Sequence, residues 1–139
     1  MREIKFRAWE KNMKQMIPVN QINFETGIIN SDSAWRMFNE VELMQYTGVK
    51  DRNGKEVYEG DIVKHAVFGI KDITWGSDYD CLKGNKGFMY NNTLAFLHDR
   101  DAEEIEIIGN IYENTALIRL HIPELLKGCE VAVLKGARY

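Results

Sequence analysis

Cysteine and proline are scarce in this chain, with two of each among 139 residues. Cys81 and Cys129 stand far apart. They fit free thiols of a reducing compartment and form neither a disulfide framework nor a pair of zinc ligands. Prolines only at positions 18 and 123 exclude a Pro-rich linker. Long apolar runs are also missing, and no window approaches the ~20 residues of a membrane helix. The start, Met1-Arg2-Glu3-Ile4-Lys5-Phe6-Arg7, is broken up by charge and holds no apolar core for a signal peptide. A cytoplasmic chain with no membrane partner is expected. A large charge of one sign is missing too. The net charge is -3, so bulk electrostatic binding to nucleic acid or an anionic surface is not expected.

What is present is an ordinary globular composition, 45% hydrophobic and 28% charged, in a chain long enough for one domain. The dominant period is two. Ile4, Phe6 and Ala8 alternate with Lys5 and Arg7, which predicts a half-buried strand, then a turn at 10–12 and a second strand over 13–19. Ile22 to Phe24 and Ile28-Ile29 flank Glu25-Thr26-Gly27 as a hairpin. Asn53-Gly54 between strand-like flanks predicts a type I′ turn, and Gly60 with Asp61 a second tight reversal. Strands are expected over 41–46, 62–68, 70–75, 88–90 and 104–112, with a last one at 130–134. The Gly- and Asn-rich stretch 76–92 reads as a mobile loop, and Thr93 to Leu97 as strand or helical turn. Asn114 is placed to cap a short helix beginning at Thr115. This pattern predicts a mainly β fold of short antiparallel strands with a short C-terminal helix, α+β being the alternative.

Charge is unevenly spread. Residues 1–16 sum to +3 and residues 99–113 to -5. Two oppositely charged segments can meet within one molecule or between subunits, or simply form solvated faces.

Three stretches occur together: Met1 to Trp9, Leu43-Met44-Gln45-Tyr46-Thr47-Gly48 running through Asn53-Gly54 to Tyr58-Glu59-Gly60-Asp61-Ile62-Val63, and Ile107-Ile108-Gly109-Asn110-Ile111-Tyr112-Glu113-Asn114. In this the chain resembles the YopX family, small proteins of bacteriophages and prophages of Gram-positive hosts. The resemblance covers roughly residues 1–117, with 64–103 as its variable part. It leaves 118–139 as a C-terminal extension. It implies a mainly β domain with a small barrel-like part and a phage setting inside a host cell. It implies no activity, and no catalytic or binding residue carries over.

Catalytic parts are few. His65, His98 and His121 have no partner at ligand spacing, and His98-Asp99 with Asp101 and Glu103 reads as a solvated acidic loop rather than a metal site. Asp80 and Glu130 neighbour the two cysteines, which disfavours a reactive thiolate. Ser31, Ser33 and Ser77 lie in no nucleophile elbow. Gly84-Asn85-Lys86-Gly87 lacks the span of a phosphate loop. No cofactor, metal or enzyme activity is expected.

Arg2, Lys5, Arg7 and Trp9 are the candidate nucleic-acid contact, two cations on one strand face with an indole to stack on bases. Asn53, Gly54, Gly60 and Asp61 are assigned to structural turns. The sequence is thus expected to encode an accessory protein that self-associates and contacts an unidentified phage or host protein. A nucleic-acid-binding regulator of the phage cycle is the alternative.

Overall fold

In the computed structural model, residues 3–32, 34–77, 86–93 and 95–120 are described. Arg2, Ser33, Cys81, Cys129, His121, Gly84-Asn85 and the strand expected at 130–134 lie outside the described residues, as does 121–139 of the C-terminal extension.

Among the described residues eleven strands and one short α-helix follow in order, besides two 3-10 turns at Phe38–Glu40 and Asp99–Glu104: β1 (Phe6–Glu10), β2 (Gln15–Pro18), β3 (Ile22–Asn23), β4 (Ile28–Ile29), β5 (Arg36–Met37), β6 (Val41–Lys50), β7 (Glu56–Tyr58), β8 (Asp61–His65), β9 (Gly69–Ser77), β10 (Lys86–Tyr90), β11 (Ile105–Asn110) and α1 (Thr115–Leu120). All the strand pairings are antiparallel. They form three sheets, β2-β1-β6-β7, β10-β9-β8-β11 and the small β3-β4-β5. The fold includes a half-barrel sheet, a name given to the second of these. The fold is mainly β with a short C-terminal helix, as the period-two pattern requires. No helix among the described residues is long and apolar enough to cross a membrane.

The first sheet is covered on both faces. Ala8 of β1 packs with Ile29 and Val41, joined by Ile17, Ile22, Phe38 and Leu43, so this face of β1 meets the small sheet. Arg7 and Trp9, on the opposite face by alternation, turn toward the half-barrel. The half-barrel has its own core of Val57, Val63, Ile73, Phe88, Tyr90 and Ile105. Val57 belongs to β7 of the first sheet, so the two sheets share one apolar core. The segment after β10 extends the half-barrel: Phe96 bridges to Met89, and Leu97 N–H donates to the Phe88 carbonyl.

Strand β6 carries the chain between sheets. Its first half pairs with β1. Past Tyr46, opposite Tyr58, the register with β7 shifts before Lys50 meets Glu56. Gly48 sits inside this irregularity at φ +88°, where a side chain would be strained. The Thr47 hydroxyl donates to the Val57 carbonyl at 2.7 Å and accepts from Val49 N–H. The Tyr46-Thr47-Gly48 stretch therefore encodes a bend.

The structure corrects four expectations. First, the turn at Asn53-Gly54 is not type I′. Only Gly54 has positive φ, +81°. Gly54 N–H donates to the Asp51 carbonyl and Asp51 N–H to the Lys55 carbonyl, which is the three-residue hairpin with a left-handed glycine. Second, β1 begins at Phe6 and includes Glu10. The buried Glu10 carboxylate accepts from Asn12 and Met13 N–H, so the turn lies one residue later, around its own cap. Third, the 76–92 stretch is no single loop, because Lys86–Tyr90 pairs with β9 as β10. Fourth, Asn114 precedes α1, but its side-chain oxygen turns back to accept from Asn110 N–H at 3.1 Å.

That last bond leaves no free room for a side chain at Gly109. A Cβ at Gly109 would lie 2.5 Å from Asn114 Oδ1 and 2.7 Å from its Cγ. At Gly54 a Cβ would meet nothing within 4 Å. Gly109→Ala is therefore expected to lower unfolding free energy by about 2–3 kcal/mol, and Gly54→Ala by about 1–2 kcal/mol, from backbone strain alone. Urea denaturation of both variants checks the order.

Candidate functional site

The residues singled out in the sequence converge where β1 crosses the start of the half-barrel. Arg7 Nη2 lies 2.8 Å from Asp61 Oδ1, with both side chains largely buried. Asp61 Oδ2 accepts from Tyr58 N–H at 2.7 Å, which closes the Glu59-Gly60 reversal. The Arg7 guanidinium also stacks on the Tyr58 ring, 4.7 Å from its centroid. Burial pushes the Asp61 carboxyl up, against the opposing pull of Arg7 and of the Tyr58 N–H. Gly60, at φ +88°, donates its N–H to the Ile73 carbonyl and accepts from Ile111 N–H, with Met44 Sδ 3.1 Å from where a Cβ would stand.

Lys5 and Trp9 are engaged in the same way. Lys5 Nζ bonds Glu56 Oε2 at 2.6 Å and Glu3 Oε2 at 3.2 Å. These carboxylates hold its ammonium above the ordinary lysine value. Trp9 is only 9% exposed and stacks on Tyr112 at 5.5 Å with nearly parallel planes. Tyr46 packs on Tyr58 at 5.5 Å. The structure thus brings Lys5, Arg7, Trp9, Gly60 and Asp61 together, while Asn53 and Gly54 lie at the far end of the β6–β7 hairpin. The expected stacking face of Trp9 is covered by Tyr112, and both cations face carboxylates of their own chain. An open cleft of about 560 Å³ borders the cluster, between Phe6, Ile17, Glu56 and Tyr58.

Alternation did not reveal the parts played by Asp51 and Glu56. Asp51 is 4% exposed. Its Oδ1 accepts from Asn53 and Lys55 N–H, and its Oδ2 from Ile107 N–H of β11, all at 2.9–3.0 Å. Arg52 N–H donates to the Ile105 carbonyl. The hairpin is thereby fastened across the half-barrel. The usable signal was an Asp two residues before Asn-Gly, which favours a side-chain-closed turn.

A second constellation lies on the half-barrel. His65 is buried, and its Nδ1 accepts from Val67 and Phe68 N–H at 2.9 and 3.2 Å. The ring proton then belongs on Nε2, which lies 3.4 Å from Glu104 Oε2. His65 stacks on Phe68 and meets the edge of Tyr90. The Tyr90 hydroxyl donates to Asp101 Oδ2 at 2.9 Å, and burial followed by that bond pushes the phenol well above its ordinary range. Beside this group opens a hollow of about 420 Å³ bordered by Val67, Phe68, Phe96, His98, Arg100 and Glu104.

The profile of the family described as YopX protein matches residues 5–119. The chain belongs to the YopX family. The crystal structure of protein EF1440 from Enterococcus faecalis is similar, with a TM-score of 0.63 and 23% identity, over 85% of this chain and 99% of that one. That likeness is one of fold. No curated protein matches the chain.

The Asp51 contacts set a pH dependence. Burial pushes its carboxyl up, but the three backbone N–H donors, Ile107 first, outweigh it and hold it below the ordinary 3.8. Its contribution to stability is therefore full above the unfolded value and is lost as pH falls through the lower folded one. Asp51→Asn keeps one acceptor oxygen and loses the other. A loss of about 2 kcal/mol is expected at neutral pH, with the gap to the native protein closing in acid. Urea titrations across pH read both, and an unchanging gap would contradict the ionised carboxylate.

Proposed function

We propose that this member of the YopX family is a non-enzymatic accessory protein of a phage or prophage, acting in the host cytoplasm through protein–protein contacts and self-association. The observation that carries this reading is the apolar surface left uncovered around three small, well-filled layers. Phe24 and Val67 are each 78% exposed, Met13 63% and Trp35 53%. Contiguous apolar surface marks interaction sites, whereas a single exposed side chain does not. On the small sheet, Asn23, Ile28 and Met37 oppose one another across the strands. They form the face away from Ile22 and Ile29, which are turned to the core.

The nucleic-acid alternative draws less support from the same residues. Lys5 and Arg7 are neutralised inside the chain and Trp9 is stacked on Tyr112. A groove that tracks phosphates needs cations free to release counterions.

Sedimentation velocity over a concentration series is expected to give a rising sedimentation coefficient. A strict monomer at every concentration would remove self-association from the reading. Partners captured from host lysate are expected to survive nuclease treatment. Their loss on digestion would turn the reading to nucleic acid.

A further inference from the structure

We propose that self-association runs head to tail, with the tip of the β1–β2 hairpin of one copy seated in the hollow beside His65 of the next. This inference rests on the self-association reading above and names its contact.

The tip is residues 11–14, between the paired ends Glu10 and Gln15. Its four residues are all exposed. Met13 is the apolar knob, 63% exposed, and Lys14 follows in left-handed backbone at φ 54°. Lys14 enters no ion pair among the described residues, while Lys11 leans on Glu42. The tip therefore offers one flexible thioether and one uncommitted ammonium at the end of an edge hairpin.

The hollow offers the complement. Val67, Phe68 and Phe96 are its apolar walls, and Val67 is almost fully exposed. A thioether against aromatic rings is a favourable contact. The rim is acidic, since residues 99–106 hold five carboxylates and one cation, Arg100. Two of those carboxylates border the hollow. Asp101 uses only Oδ2, accepting from the Tyr90 hydroxyl and from His98 N–H, and Glu104 uses only Oε2, toward His65. Glu104 Oε1 is left for an incoming ammonium. Ligand hollows of this size are usual for a few side chains.

Charge complementarity selects a second copy. The basic start and the acidic late segment were the two charge extremes of the chain. Among the described residues the two segments form no ion pair with each other, because Lys5, Arg7 and Lys11 pair with Glu56, Asp61 and Glu42 instead. Tip and hollow also lie on different sheets. Each copy then has one donor and one acceptor surface, a heterologous contact that propagates into a ring or a filament.

The test is sedimentation velocity on the native chain and on Met13→Asp, Val67→Asp, Lys14→Glu and Glu104→Lys, each first checked for native thermal unfolding. Met13 and Val67 are exposed turn positions, so at least these two variants keep the fold. Each single variant is expected to weaken association at least tenfold. An equimolar mixture of Lys14→Glu with Glu104→Lys is expected to restore it, since every tip then finds a hollow of opposite charge. Association that persists in all four variants would overturn this contact and leave self-association standing. So would loss on Phe24→Asp with none on Val67→Asp, which assigns the interface to the small sheet. A monomeric native chain would overturn both readings. A monomeric chain that nonetheless binds a Lys-Met peptide in a manner lost in Val67→Asp would give the hollow to a foreign basic partner.

Discussion

The pair of Arg7 with Asp61 is the constraint on which the arrangement of layers depends. β1 belongs to the first sheet and Asp61 opens the half-barrel, so one ion pair spans the two layers. Both groups are largely out of water, and such a pair gains little net stability over an apolar replacement. Its importance lies in the penalty for separating it. A lone buried charge costs about 3–5 kcal/mol, so any packing that slides β1 along the half-barrel is disfavoured. Tyr58 covers the guanidinium and lends its N–H to the same carboxylate. The pair therefore also sets the reversal that sends the chain from one sheet to the next.

The three stretches that carry the sequence resemblance map onto this junction. Trp9 stacks on Tyr112, joining the first stretch to the last. Thr47 and Gly48 bend β6. Asp51 fastens the central hairpin to β11, and Gly109 makes room for Asn114 after β11. Each is explained by a contact that holds the layers together. Large apolar side chains left in solvent lie elsewhere, at the small sheet, the hairpin tip and the β8–β9 turn, where Phe24, Met13 and Val67 stand.

Much of the fold was legible because it follows from local rules. Period two located β1, β8, β9 and β11 within a few residues, and glycine at Gly27, Gly54 and Gly60 marked turns that do require positive φ. What alternation could not show is that Arg7 on the charged face of β1 is largely buried and that Lys5, partly exposed, is already paired. Lys5 and Arg7 read as the wet side of β1, and the partners that cover them, Glu56 and Asp61, are some fifty residues away in sequence. The turn type at Asn53-Gly54 was misread because the Asp51 side chain, rather than the Asn-Gly pair, closes it. The candidate nucleic-acid contact was drawn from the same strand face. Its charges and its indole were assigned by strand face, and tertiary packing supplied a second layer over that face.

The direct test of the junction is a double-mutant cycle by urea denaturation on Arg7→Met, Asp61→Asn and the two combined. Asp61→Asn retains an oxygen for the Tyr58 N–H, and Arg7→Met retains much of the stem. Each single change strands one buried partner, and the double change strands none. A coupling free energy of about 2–3 kcal/mol is expected, with the double variant more stable than the sum of the single losses implies. Losses that add to within about 0.5 kcal/mol would contradict the pair as the tie between the two layers.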